Sequence, residues 1–270
     1  MFGPVRAPAV VLCDGIGCSG YVWKYLATAL AEDQRVIHFH YRGHGRTPAP
    51  KDPTKVSIED LSSDLISVLD AAVGADQPAA LIGHSMGVQV CLETYRQHRA
   101  RVRSLTLMCG SYGRPLSSFH GVDTLEKILP LLRVGVGLWP GLIARLWRTI
   151  VPTGLSYEIA TRIELNRDLI AREDFFPYLQ DIATIDPQLF FAMLAKAGRH
   201  SAKDLLHDIK VPVLILAGEQ DNFTPPELSH EMHRLIPGAE LHVVAGGSHT
   251  APLERPQEIT ERVHAFLRRM

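Results

Sequence analysis

Short unbroken runs of apolar residues recur along the chain, separated by stretches whose apolar positions return every three or four residues. The first run, Ala9-Val10-Val11-Leu12-Cys13, stops at Asp14-Gly15 and reads as a buried strand. Val22, Tyr25, Leu26, Ala29 and Leu30 then mark one face of a helix from about Tyr21 to Ala31. Arg35 to Tyr41 predicts a second strand, broken by Gly43 and Gly45. Ser57, followed by Glu59 and Asp60, has the chemistry of an N-cap for a helix reaching about Val73. Ala79 to Gly83 predicts a third strand, Met86 to about His98 a helix, and Val102 to Met108 a fourth strand. Val211 to Ala217 predicts a fifth strand, Pro225 to Leu235 a helix, Glu240 to Val244 a sixth strand, and Pro256 to Arg269 a closing helix.

Apolar strands alternating with helices imply a sheet buried on both faces. The expected fold is therefore α/β, with a mostly parallel, doubly wound sheet of about six strands. One stretch breaks the rhythm. From Tyr112 to Ile185 there is no strand pattern, only helix-like runs rich in Leu, Ile, Trp and Phe. It reads as a helical cap inserted between the fourth and fifth strands, dividing the chain into a core of residues 1–111 and 186–270 and an insertion at 112–185.

Composition narrows the function classes. The 270 residues include 28 cationic and 29 acidic side chains, a net charge of −1, so no basic field points to nucleic acid. Four cysteines (Cys13, Cys18, Cys91 and Cys109) are too few for a disulfide scaffold and match no zinc spacing. They read as core thiols of a reducing compartment, and the expected location is the cytoplasm. The most apolar stretch, Leu129 to Val151, is interrupted by two prolines and three arginines and is not expected to span a membrane.

The sharpest chemical signal is Gly83-His84-Ser85-Met86-Gly87, a G-x-S-x-G between a predicted strand and a predicted helix. A serine on such a turn is exposed at the mouth of the sheet, and the helix that follows aims its N–H groups at developing negative charge. Serine needs a base and an acid to orient that base. Asp221 follows the fifth strand and His249 the sixth, both where parallel sheets place their sites. Glu219 is a rival for the acid, whereas Gly110, at the end of the fourth strand, offers no carboxylate. His38 and His40 share a strand face but have no carboxylate or cysteine beside them in sequence, so no metal site is expected.

The elbow, the Ser-Asp-His order, Tyr41-Arg42-Gly43-His44-Gly45-Arg46-Thr47 and Ser248-His249-Thr250-Ala251-Pro252-Leu253-Glu254-Arg255-Pro256 together resemble the α/β-hydrolase fold family. The likeness is to its cap-bearing serine esterase and lipase-like branch, from Ala9 onward. By that resemblance the oxyanion donors are the backbone N–H groups of Ile16 and Met86. The family usually has His-Gly where this chain has Asp14-Gly15, and commonly carries two more strands before this loop. Asp14 is therefore a candidate substrate contact, set against a carboxylate that bonds backbone N–H groups of its own loop and points away. Leu138, Trp139 and Leu142 of the insertion are candidates to line an apolar substrate pocket, or to touch a lipid surface.

The expected activity is hydrolysis of carboxylic esters with an apolar acyl or alcohol part, by Ser85, His249 and Asp221, without metal or organic cofactor. Lactonase, thioesterase, acyltransferase, perhydrolase and C–C hydrolase chemistry would use the same three residues. A slowly turning-over small-molecule receptor is the reading from another class. A monomer or a dimer is expected.

Overall fold

The computed structural model describes residues 1–113, 124–163 and 165–270. Its sheet has six parallel strands in the order β2-β1-β3-β4-β5-β6. They are β1 (Ala9–Cys13), β2 (Arg35–His38), β3 (Ala79–His84), β4 (Val102–Met108), β5 (Val213–Gly218) and β6 (Glu240–Val244).

Alternation along the strands separates two cores. Val11, Leu81, Leu105 and Ile215 face α2 (Ile58–Val73), α3 (Met86–Gln97) and α9 (Pro226–Leu235), where Leu61, Leu65, Leu92 and Met232 close the layer. Val10, Leu12, Ile82, Leu214 and Leu216 face α1 (Lys24–Leu30) and the closing helix α10 (Pro256–Leu267), against Leu26, Leu30, Ile259, Val263 and Phe266. Burial on both faces explains why the strand runs are apolar throughout rather than alternating. Ser57 caps α2 as its sequence suggests. Its hydroxyl accepts from the Asp60 N–H, and the Asp60 carboxylate accepts from the Ser57 N–H.

Strand boundaries differ from the sequence pattern in places, among them the start of the fifth strand, at Val213 rather than Val211. The second strand ends at His38 rather than Tyr41, because its partner β1 pairs with it only from Ala9 to Leu12 before turning into the next loop. The outer edge of β2 meets no further strand among the described residues, but Phe2 and Val36 exchange backbone bonds of 2.9 and 3.0 Å in an antiparallel bridge.

Between β4 and β5 the described residues form five α-helices: α4 (Thr124–Leu138), α5 (Pro140–Ile150), α6 (Gly154–Ile163), α7 (Arg172–Thr184) and α8 (Pro187–Arg199). This is the helical insertion after the fourth strand. Residues 114–123 and 164 of the expected segment lie outside the described residues. The last helix, α8, begins beyond residue 185 yet packs on α4 and α5, while its Leu189, Met193, Leu194 and Ala197 also enter the core. The insertion is tied down by Asp174, which accepts from Lys24 Nζ and Tyr25 Oη, and by Asn166, which donates to the Gly246 carbonyl at 2.8 Å. Among the described residues no single helix is long and apolar enough to cross a membrane, and α4 and α5 reach that composition only as a pair bent by 111°.

β1 crosses out to β2 and the chain returns to β3 on its other side, so loops diverge at the carboxyl ends of β1 and β3. Such a crevice is where doubly wound sheets bind ligands.

Candidate active site

Ser85 sits between β3 and α3 with φ 56° and ψ −121°, backbone that a side-chain-bearing residue rarely adopts. The flanking glycines make this turn possible. A Cβ on Gly83 would lie 2.4 Å from the Gly87 carbonyl oxygen, and one on Gly87 would lie 2.1 Å from that of Cys13. The Ser85 N–H donates to the Met108 carbonyl at 3.0 Å, which pins the turn to β4.

The Ser85 hydroxyl donates to His249 Nε2 at 2.9 Å, and His249 Nδ1–H donates to Asp221 Oδ2 at 2.9 Å. The carboxylate also accepts from the N–H groups of Phe223 and Thr224, at 2.9 and 2.8 Å, and from the Thr224 hydroxyl at 2.8 Å. Burial alone would push the Asp221 carboxyl up. The charge and hydrogen bond of His249, with the Thr224 donors, outweigh burial and hold it below the ordinary carboxylate value. Glu219 is elsewhere: its carboxylate accepts from the Gly246 N–H at 2.8 Å.

The base is anchored on its main chain as well. Buried His84 donates from Nε2 to the His249 carbonyl at 2.8 Å and meets the Trp23 ring edge to face. Burial first, then the neighbouring His249, lowers the His84 pKa to about 3, so the imidazole is neutral. Glu254 completes the anchor, accepting from Ser248 N–H at 2.6 Å, from Ser248 Oγ at 2.5 Å and from Thr250 Oγ1 at 3.0 Å. In sequence, His84 is only the variable position of the elbow. Its partner lies 165 residues away, so no local pattern announces it.

Ile16 and Met86 both line the cavity beside Ser85. Met86 is the first residue of α3, where a helix has no acceptor of its own for the N–H. The Ile16 loop is held by a bond from Gly17 N–H to His44 Nε2 at 3.1 Å. Burial lowers the His44 pKa, which favours the neutral ring that this acceptor role requires.

Four substrate-contact candidates lie away from the space at Ser85. Asp14 is fully buried and does not point into the cavities at Ser85. Its Oδ1 accepts from Trp23 Nε1 at 2.6 Å and its Oδ2 from His38 Nε2 at 2.8 Å. It points away, as one reading of the loop expected, but side chains rather than backbone N–H groups hold it. Leu138, Trp139 and Leu142 are 63, 61 and 57% exposed and line none of the space around Ser85. The apolar wall there comes from later in the insertion, from Ala160, Leu165, Phe175, Tyr178 and Leu179, with Tyr21 and Phe223 from the core. The four cysteines are free and buried. Cys18 donates weakly to the Ile16 carbonyl, and burial pushes its thiol pKa up. His40 Nδ1 accepts from the Arg46 N–H at 3.0 Å.

A family model described as alpha/beta hydrolase fold matches residues 8–256. The chain belongs to that family. It is 29% identical over 270 residues to the polyketide synthase ThaQ of Burkholderia thailandensis, covering 97% of this chain but only 12% of that much longer protein. It is 28% identical to the pimeloyl-[acyl-carrier protein] methyl ester esterase of Methylococcus capsulatus, over 97% of this chain and 95% of that one. Among solved structures, the enol-lactonase of Burkholderia xenovorans superposes with a TM-score of 0.76 at 24% identity, over 98% of this chain and 94% of that one. At that identity the likeness is one of fold.

Proposed function

We propose that this α/β hydrolase cleaves carboxylic esters of largely apolar small molecules through an acyl-enzyme. The observation that carries the reading is the continuous hydrogen-bonded chain from Ser85 through His249 to Asp221, begun on a strained turn that presents the hydroxyl to an apolar cavity. Ser85 Oγ bonds to the acyl carbon while His249 Nε2 takes its proton. Asp221 keeps Nδ1 protonated and stabilises the imidazolium. The Ile16 and Met86 N–H groups hold the oxyanion. As the C–O bond to the alcohol breaks, the proton passes from His249 to the departing oxygen. Water, deprotonated by the same imidazole, then releases the acid. The insertion at 112–185 acts as the cap that walls the substrate, and its role is extended here to α8. The name of the Methylococcus relative, an ester hydrolase, agrees with this reading.

Steady-state hydrolysis of p-nitrophenyl acetate and butyrate by the wild type and by Ser85→Ala tests it. Turnover by the wild type and a loss of at least about a thousandfold in the variant are expected. Full activity in Ser85→Ala ends the proposal, and a single burst without turnover in the wild type favours the receptor.

A further inference from the structure

Two cavities meet at Ser85, and they are unequal. Both are lined by Ile16, Ser85 and Phe223, and otherwise their described linings are disjoint. The narrow one holds about 20 Å³ and is closed by Met86, Gln89, Ser111, Leu194 and Ala197. The wide one holds about 150 Å³ and is walled by Tyr21, Leu165, Phe175, Tyr178 and Leu179, with His249 also lining it. A cavity of about 150 Å³ accommodates a benzene ring, whereas one of about 20 Å³ holds little more than a single water or a methyl-sized group.

The chemistry assigns the two halves of an ester to these spaces. The leaving oxygen takes its proton from His249 Nε2, so the alcohol must lie on the side His249 lines, which is the wide cavity. The acyl carbonyl must reach the Met86 N–H, and Met86 lines only the narrow one. We propose that the enzyme selects esters of short acyl groups, acetyl-sized, with bulky ring-bearing apolar alcohols. The aromatic wall of Tyr21, Phe175 and Tyr178 stacks on the ring of the alcohol, while Leu194 and Ala197 limit the acyl chain. The proposal rests on the ester-hydrolase reading and adds the substrate class to it. Ser85 forms a bond to the acetyl carbon, the bond between that carbon and the benzyloxy oxygen breaks, and the departing benzyl alcohol carries away the proton that His249 held.

Benzyl acetate and methyl phenylacetate are isomers whose leaving alcohols are of similar acidity, and they exchange the ring between the alcohol and acyl sides. The expected kcat/KM ratio favours benzyl acetate by on the order of tenfold or more. Leu194→Ala, which opens the narrow cavity, should raise the rate on methyl phenylacetate and shrink the ratio. Because the wild-type pair alone decides the matter, a variant that fails to fold does not weaken the test. Equal or reversed wild-type rates overturn the assignment, as does hydrolysis of neither isomer by protein that still reacts at Ser85 with diethyl p-nitrophenyl phosphate. Absence of both that adduct and any ester turnover counts against the hydrolase reading itself.

Discussion

The imidazole of His84 donates to the main-chain carbonyl of His249, so the residue before the nucleophile holds the backbone of its base. The two sides of the reaction centre are therefore coupled by a bond that involves none of the reacting atoms. The stability of this arrangement depends on pH, because burial and the neighbouring His249 disfavour a charged His84. The His84 pKa falls from an unfolded value near 6.5 to about 3 in the fold, so its stabilising effect is complete above the unfolded value. It is lost as pH falls from about 6.5 towards 3. Urea unfolding at pH 7 and pH 4.5 should show a loss of about 3 kcal/mol from this group. His84→Gln keeps an N–H donor without a titration, so it should flatten that slope while keeping most of the activity at pH 7. An unchanged slope in the variant would assign the pH dependence elsewhere.

Asp14 is expected to matter for stability rather than for turnover. Its carboxylate is buried between Trp23 and His38, and removing it strands both donors. Asp14→Ala should cost about 3 kcal/mol in chemical denaturation. Asp14→Asn, which retains an acceptor for Trp23, should cost less. Assayed well below its melting temperature, Asp14→Asn should keep KM within about twofold of the wild type. A large rise in KM would restore the substrate contact that the geometry removes.

Asp221→Asn leaves the packing of the loop nearly unchanged but removes the charge facing His249. A fall in kcat of about ten thousandfold is expected, because the amide favours the wrong imidazole tautomer. Single-turnover rates on p-nitrophenyl acetate measure it, and a loss under tenfold would point to a different acid.

Leu138 and Trp139 stand at the exposed junction of α4 and α5, away from the space around Ser85. The double variant Leu138→Ser, Trp139→Ser should alter kcat/KM on a water-soluble ester by less than about twofold. A tenfold loss would return these residues to the substrate wall.

The strands and the three central residues were legible because their signals are local. Ala9–Cys13 and Val213–Gly218 are short apolar runs, Ser85 sits in a five-residue turn signature, and Asp221 and His249 lie just past strand ends. What escaped is carried by distant partners. Asp14 reads as a loop residue until His38, 24 positions on, is folded against it. The apolar stripe of α4 and α5 suggested a pocket, yet helical periodicity reports only that a face is apolar, not what covers it. The wall was supplied instead by Phe175, Tyr178 and Leu179 of α7, whose burial depends on how the insertion docks through Asp174 onto Lys24 and Tyr25. Helix α8, which follows residue 185, packs on both α4 and α5 and on the core, a pairing that local periodicity does not report.

The proposed chemistry turns on Ser85 as the nucleophile activated by His249. Its most direct test is the intact mass of the protein after reaction with diethyl p-nitrophenyl phosphate, followed by peptide mapping. A single diethylphosphoryl adduct on Ser85, release of one equivalent of p-nitrophenolate, loss of esterase activity in proportion, and no adduct in Ser85→Ala are expected. Labelling at another residue with activity lost in step, or an unlabelled protein that goes on turning over esters, would contradict it.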